Sequence, residues 1–328
     1  MTPFTPMRRF IRHFLPTLVS AVALAGSAAT GAAADRLQIA VVPKGSTHAF
    51  WKSVEAGARK AGAEENVTII WKGPMKEDDR AQQISLVQQF VGSKVSALVL
   101  APLDATALAG PVRSATAAGI PVVIIDSALR GEVGRDFVSL VATDNFRGGE
   151  IGGDELARRL GGKGKVVLLR CLEGSASTDE RESGFLAAIA RYPGIEVTVK
   201  NRYGGATVSL AQDTALNLID RLREADGIFC PNESTTQGML LALRQTGLAG
   251  KKTFVGFDTS AALLQALRRG EIHGLVAQNP SRMGYLGVKA AVAQLRGGKV
   301  EPRIDTGCAL VTLESIDTPE TKAILATP

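Results

Sequence analysis

The chain has 328 residues, 45% of them hydrophobic and 21% charged, with a formal net charge of +6. Those proportions suit a globular protein long enough for two domains and exclude a largely disordered one. Half of the basic excess lies in Arg8, Arg9 and Arg12, and the remainder is too small to suggest a nucleic-acid partner.

Residues 1–34 place those arginines, with no acid among them, before an apolar run that ends in Ala32-Ala33-Ala34. This is the order of a cleaved secretory signal peptide, and it implies export to the periplasm with Asp35 at or near the mature N-terminus. A membrane anchor is the competing reading, but Ser, Thr and Gly dilute the apolar run. The fit to a twin-arginine signal is poor. No Cys follows the run, so a lipid anchor is not expected.

From residue 36 onward, short apolar runs alternate with helical patterns. "LQIAVVP" (37–43), "VTIIW" (67–71), "SALVLAP" (96–102) and "IPVVIID" (120–126) read as buried parallel strands. Between them, "DDRAQQISLVQQFVGS" (78–93) places Ile84, Val87 and Val91 on one helical face. This rhythm predicts an α/β fold with right-handed crossovers. The plan then repeats. "ATVSLAQDTALNLI" (206–219), "CPNE" (230–233) and "VGFDTS" (255–260) follow "DDRAQQISLVQQFV", "APLD" (101–104) and "VIIDSA" (123–128) at a nearly constant spacing. Each copy is a lobe of roughly 130 residues, an ordinary domain size. No Pro/Gly/Ser-rich linker separates them.

Ligands of open α/β sheets bind beyond the C-terminal strand ends. The polar and aromatic residues just after each run are Lys44, His48, Phe50, Trp51, Asp126, Ser127, Arg181, Asn232, Asp258 and Gln278. Both copies contribute, which puts the site in a cleft between lobes. Carboxylates and amides in such numbers can bond adjacent hydroxyls in pairs, and an aromatic face suits the C–H face of a sugar ring. Phe50 and Trp51 are neighbours on a helix and cannot share a face. One should stack on a ligand and the other wall the cleft, with Trp51 at its mouth.

Each residue also has a plainer reading. Asp126 or Asp258 could cap the next helix, Arg181 and Lys44 could be solvated charges, Phe50-Trp51 could be packing, and His48 could be a loop residue without chemistry. The matched positions of the two aspartates favour the site. Catalytic and cofactor signatures are not found. There is no dinucleotide Gly-x-Gly-x-x-Gly after the first strand, "RGGEIGGDEL" (147–156) lies in a helical pattern, and no Walker loop or Gly-x-Ser-x-Gly elbow occurs. His13, His48 and His273 lack metal spacing, as do Cys171, Cys230 and Cys308. The cysteines read as small buried side chains, with one disulfide left open. Neither enzyme activity, cofactor nor metal is expected.

"FWKSVEAGA", "VIID", "GSASTDERESGF", "FCPNE", "VGFD" and "LVAQNP" occur in that order. Together they resemble periplasmic sugar-binding proteins of the ribose/galactose type, the ligand-capturing components of ATP-driven importers, over about residues 37–313. The resemblance implies two Rossmann-like lobes with parallel sheets, joined by a three-crossing hinge near Thr143, Asn279 and Gly307. The lobes would be 36–143 plus 280–307 and 144–279 plus 308–328. Phe50 and Trp51 would sandwich a sugar, and Asp126, Arg181, Asn232, Asp258 and Gln278 would bond its hydroxyls. Ribose binders carry an Arg after the strand-end Asp, where this chain has Ser127, and a small polar residue where it has Lys44. A second-lobe aromatic is replaced near Ala206, with Tyr203 close by. The implied ligand is therefore a pentose, hexose or polyol rather than ribose in particular. The implied partner is the membrane permease of the importer, with the binding protein a monomer. Presentation of the ligand to a chemotaxis or signalling receptor is the alternative. A lactose-repressor-type regulator would need a DNA-binding segment where the signal peptide stands.

Overall fold

The computed structural model describes residues 36–325. The signal-peptide reading of residues 1–34 lies outside them, as do the last three positions.

The first copy runs β1 (Gln38–Val42), α1 (Ala49–Glu64), β2 (Thr68–Trp71), α2 (Arg80–Gly92), β3 (Ala97–Leu100), α3 (Ala109–Ala117), β4 (Val122–Ile125) and β5 (Ser139–Ala142). The second runs α4 (Asn145–Arg159), β6 (Lys163–Arg170), α5 (Ala176–Ile189), β7 (Gly194–Tyr203), α6 (Val208–Asn217), α7 (Ile219–Glu224), β8 (Gly227–Phe229), α8 (Glu233–Gln245), β9 (Thr253–Phe257), α9 (Ala261–Arg268) and β10 (Gly274–Gln278). The chain closes with α10 (Pro280–Leu295), β11 (Arg303–Asp305), β12 (Cys308–Val311) and α11 (Pro319–Leu325).

Among the described residues the strands form two six-stranded sheets, ordered β11-β5-β4-β3-β1-β2 and β12-β10-β9-β8-β6-β7. All neighbours pair in parallel except β10 and β12. The orders match strand for strand, as the internal duplication predicts. The chain passes between sheets after β5, after β10 and between β11 and β12. Each sheet is covered on both faces by apolar layers. The layer holding Trp51, Val54 and Met283 lies on one face of the first sheet, and that holding Val87, Phe90 and Val112 lies on the other. All three cysteines are free thiols, Cys171 and Cys230 buried and Cys308 partly so.

The helix over 80–92 forms where its periodicity predicts, with its buried face wider than the apolar pattern. Val87 is buried and Ile84 and Val91 pack half-buried against the same core, but Gln83, Leu86 and Phe90 are buried as well. Gln83 is held there by its amide, which donates to Pro43 O (3.0 Å) and Ala101 O (2.8 Å) and accepts the Leu103 N–H (2.8 Å). It thereby satisfies backbone groups just beyond β1 and β3 that the sheet itself leaves unpaired.

In each lobe the helix that starts the copy crosses a second helix at backbone contact. A Cβ on Gly57 of α1 would meet Ser281 O of α10 at 1.9 Å, and one on Gly284 of α10 would meet Val54 O at 2.0 Å. The matching pair is Gly149 of α4 against Arg181 O (1.9 Å) and Gly184 of α5 against Phe146 O (2.0 Å). The glycines that made "RGGEIGGDEL" look like a nucleotide loop therefore let two helices touch. Overpacking such a contact costs about 1–3 kcal/mol. Gly149→Ala and Gly284→Ala should each lower unfolding free energy by about that amount in denaturant titrations. Gly110→Ala, where a Cβ meets nothing within 4 Å, should raise it by about 0.5–1 kcal/mol.

Candidate functional site

The C-terminal edges of the two sheets face one another across a cleft with about 340 Å³ of empty space. Its geometry begins at two matched backbone positions. Asp126 follows β4 with φ 65°, and Asp258 follows β9 with φ 68°. Each still donates its N–H to the neighbouring strand, to Val141 O (3.1 Å) and Val276 O (3.0 Å) respectively. The left-handed conformation is strained for most side chains but tolerated by Asp. Neither carboxylate caps the next helix in the chain, α4 and α9 having Asp144 and Ser260 at their N-cap positions instead, so that reading of them falls away.

Asp126 Oδ2 lies 2.7 Å from Lys44 Nζ, both side chains being 4% exposed. Beyond this ammonium, Oδ2 has no partner among the described residues. Lys44 reaches on to the other lobe, donating to Ser177 Oγ (2.9 Å) and Ser175 Oγ (3.4 Å). Ser127 stands behind this wall rather than in it, with its Oγ accepting the Ser177 N–H (3.0 Å).

On the second lobe Asp258 accepts from Gln278 Nε2 (2.7 Å) and the Glu233 N–H (2.8 Å). Burial pushes its carboxyl up to about 6, against the pull of Arg181, and the Glu233 charge adds to the rise. Arg181 is 3% exposed. It donates to Asn145 Oδ1 (2.8 Å), Pro231 O (3.0 Å) and Gln278 Oε1 (2.8 Å), with its guanidinium 4.3 Å over the Phe257 ring. It is not the solvated charge it could have been. Asn232 does take the plainer role as well as a cleft position. It caps α8, its Oδ1 accepting the Thr235 N–H (3.2 Å).

Trp51 does not stand at the cleft mouth. It is 2% exposed and packs in the layer between α1, α10 and the first sheet, with its indole N–H donated to Glu77 Oε1 (2.5 Å). Phe50 is the half-buried member of the pair, edge-on to Trp51 at 4.9 Å, and both rings line the cleft. The 100° step between helix neighbours sends the larger ring inward and leaves the smaller at the surface.

His48 is more than a loop residue. Its Nδ1 lies 3.0 Å from Glu77 Oε1. Burial alone would lower its pKa, but the Glu77 hydrogen bond and charge, with Glu233 and Asp258 behind them, raise it to about 9. Burial works in the opposite sense on Glu77, yet the His48 and Lys44 charges and the Trp51 N–H hold its carboxyl below the ordinary value. The sequence reading missed Glu77, Ser175, Ser177, Thr178 and Glu233, which also line the cleft. Glu77 follows the second strand and Glu233 follows Asn232, so the rule of strand C-terminal ends, applied to every loop and past the first polar residue, reaches both.

The His48–Glu77 pair should leave a mark on stability. The folded protein holds the proton to about pH 9, whereas an unfolded chain releases it near 6.5. The contribution is therefore complete below pH 6.5 and lost as pH rises through 9. Chemical denaturation of the wild type and a His48→Gln/Glu77→Gln double variant should show a stability difference that falls by about 2–3 kcal/mol between pH 6 and 10. A difference independent of pH would contradict the pairing.

Residues 39–299 match the periplasmic binding protein domain family. The ribose import binding protein of Salmonella typhimurium is 30% identical over 302 residues, covering 90% of this chain and 97% of that one. The D-allose-binding periplasmic protein of Escherichia coli is 27% identical over 301 residues, covering 90% and 94%. Among solved structures, a carbohydrate transporter solute binding protein from Agrobacterium radiobacter in complex with D-arabinose superposes with a TM-score of 0.85 at 33% identity, covering 89% of this chain and all of that one. One from Agrobacterium vitis with bound D-fucose gives 0.84 at 34%, covering 87% and 98%. With the family match spanning most of the chain and these relatives covered nearly end to end, the chain belongs to the periplasmic binding protein family.

Proposed function

We propose that this chain is an extracytoplasmic binding protein that captures a small neutral sugar or polyol and delivers it to the membrane permease of an ATP-driven importer. The observation that carries this reading is the pair of strand-end carboxylates, Asp126 and Asp258, turned from opposite lobes into one cleft beside an aromatic wall. Carboxylates accept from vicinal hydroxyls, and Phe50 offers the partly exposed ring for a sugar's C–H face. Gln278 is held between Arg181 and Asp258, which fixes its amide for a further hydroxyl. Capture would proceed by closure of two lobes, 36–143 with 280–307 and 144–279 with 308–328, about the three chain crossings. The relatives bind ribose, allose, arabinose and fucose by name, which supports an aldose-like ligand. The ribose relative is an import binding protein by name and the two solved relatives are solute binding proteins of transporters, which favours delivery to a permease over presentation to a chemotaxis receptor. Export by a cleaved signal peptide and action as a monomer without nucleic acid complete the reading, and no catalytic step is assigned to the cleft.

The ligand's charge follows from the walls. Lys44, Arg181 and protonated His48 face Asp126, Asp258, Glu77 and Glu233. The cleft is thus balanced or slightly negative, and an anionic ligand would meet desolvated carboxylates at high cost. A thermal-shift screen of the mature chain against pentoses, hexoses, polyols and sugar phosphates tests this. A neutral compound at 100 times its Kd should stabilise the protein by about 2.7 kcal/mol. A sugar phosphate binding more tightly than every neutral compound would reverse the assignment.

Asp126→Asn and Asp258→Asn are the informative substitutions, because Asn tolerates the left-handed backbone that Ala would strain. Each should weaken binding of the best ligand about tenfold to a hundredfold by calorimetry, the worth of a charge-assisted hydrogen bond. Normal affinity in both would place the site elsewhere.

Of the two tryptophans, Trp51 walls the cleft and half-buried Trp71 ends β2. Ligand-induced fluorescence change should vanish in Trp51→Phe and persist in Trp71→Phe. Because Trp51 is also core, Trp51→Ala should lower stability by about 3–5 kcal/mol in addition to weakening binding. A Trp51→Ala protein with unchanged melting temperature would contradict its burial.

A further inference from the structure

The N-terminus of α1 has no cap of its own. Its N-cap residue is His48, whose side chain makes no capping bond, and the first turn contains no acid. It shares the missing capping bond with α3, α5, α7 and α9, whereas α2, α4, α6, α8 and α10 are capped by their own Asp79, Asp144, Thr207, Asn232 and Asn279. The first N–H groups of a helix need a partner once buried. Here the partner comes from the other sheet. Ala49 donates its N–H to Glu233 Oε1 (3.3 Å) and Phe50 donates its N–H to Glu233 Oε2 (3.1 Å).

We propose that Glu233 is a cross-lobe cap of α1, a positioning residue that holds the closed form by completing a helix of the opposite lobe. The proposal rests on the reading that the lobes open and close on a ligand. Several features converge on it. Glu233 is 7% exposed, and its own backbone N–H is anchored on Asp258 Oδ2 (2.8 Å), so its position is fixed from the floor of the cleft. A carboxylate at a helix N-terminus meets the positive end of the helix dipole, and both of its oxygens are used. Residues 49–50 follow β1 of one sheet and Glu233 follows β8 of the other, so the contact exists only while the lobes are together. Phe50, the partly exposed ring of the cleft wall, is one of the two donors. Closure therefore seats the ring and caps its helix in one movement. The bonds are exchanged for water on opening, so the cap should appear chiefly in the rate of ligand release.

The test is a double-mutant cycle on that rate. Ala49→Pro deletes one of the two donors and leaves the helix intact. Ala49 is the first helical position, where Pro is accepted, and His48 has the extended backbone (φ −76°, ψ 149°) that a following Pro requires. Stopped-flow release of the tightest neutral sugar from the thermal-shift screen should be about tenfold faster in Glu233→Ala. It should be a fewfold faster in Ala49→Pro, and no faster in the double variant than in Glu233→Ala. Glu233→Gln, which keeps one acceptor oxygen, should fall between wild type and Glu233→Ala. Unchanged release in Glu233→Ala, or effects that multiply in the double variant, would overturn the cap, the latter by showing that Glu233 acts on the ligand instead. If no neutral sugar binds the wild type, the functional reading fails by itself. The cap is then judged in the complex with whichever other compound of the screen, sugar phosphates included, stabilises the protein most, by hydrogen exchange at the Ala49 and Phe50 amides. Exchange faster in Glu233→Ala than in wild type supports it, and equal exchange rejects it.

Discussion

The cleft depends on a backbone constraint imposed twice. At the end of β4 and again at the end of β9, the chain keeps its N–H in the parallel ladder and then turns through a left-handed residue. Both residues are Asp. The turn lifts each carboxylate off the sheet edge into the cleft. A residue in ordinary extended conformation would continue the strand and point its side chain into one of the helix layers. The strain of the left-handed conformation is of order 1 kcal/mol at each position, and the ladder bond on one side with the carboxylate's partners on the other holds it in place.

Around these two carboxylates the remaining polar groups are arranged so that no charge is buried alone. Lys44 answers Asp126, His48 answers Glu77, and Arg181 is neutralised through Gln278 and Asp258 while three of its N–H groups find oxygen acceptors. A buried charge without a partner costs several kcal/mol, so these pairs are a condition for having such a cleft between two apolar domains. Several of the partners lie on opposite lobes. Lys44 reaches Ser177, Ser127 accepts from Ser177, and Glu233 reaches α1. These contacts join positions fixed by two separate sheets, which links the electrostatics of the site to the fit of the two lobes.

The helices that carry the site are held by the duplication itself. α1 carries Phe50 and Trp51, and α5 carries Arg181. Each is pressed against its partner helix by reciprocal glycines at backbone contact. Arg181 is itself one of the residues whose carbonyl lies against a glycine. The register of that crossing therefore sets the height of its guanidinium above Phe257, so helix packing and the placement of a cleft side chain share the same atoms.

The amino-acid sequence by itself determined the two-copy α/β plan and the two strand-end aspartates. These follow from local periodicity and from the rule that parallel strands present their C-terminal ends to a ligand. Family membership was legible for the same reason, since the motifs sit at those strand ends. Three matters needed tertiary structure. The buried face of α2 includes Gln83, a polar side chain invisible to hydrophobic periodicity because its value lies in bonding the loops after β1 and β3. Trp51 belongs to the core because α10, far along the chain, supplies the layer it packs in. Glu77 and Glu233 look like ordinary surface acids in sequence. Their partners, His48 with the Trp51 indole and the α1 N-terminus, become neighbours only when loops distant in the chain, and for Glu233 the two lobes, are brought together. Local sequence carries backbone preference and burial pattern, whereas a contact between loops distant in the chain exists only once the sheets and the lobes are assembled.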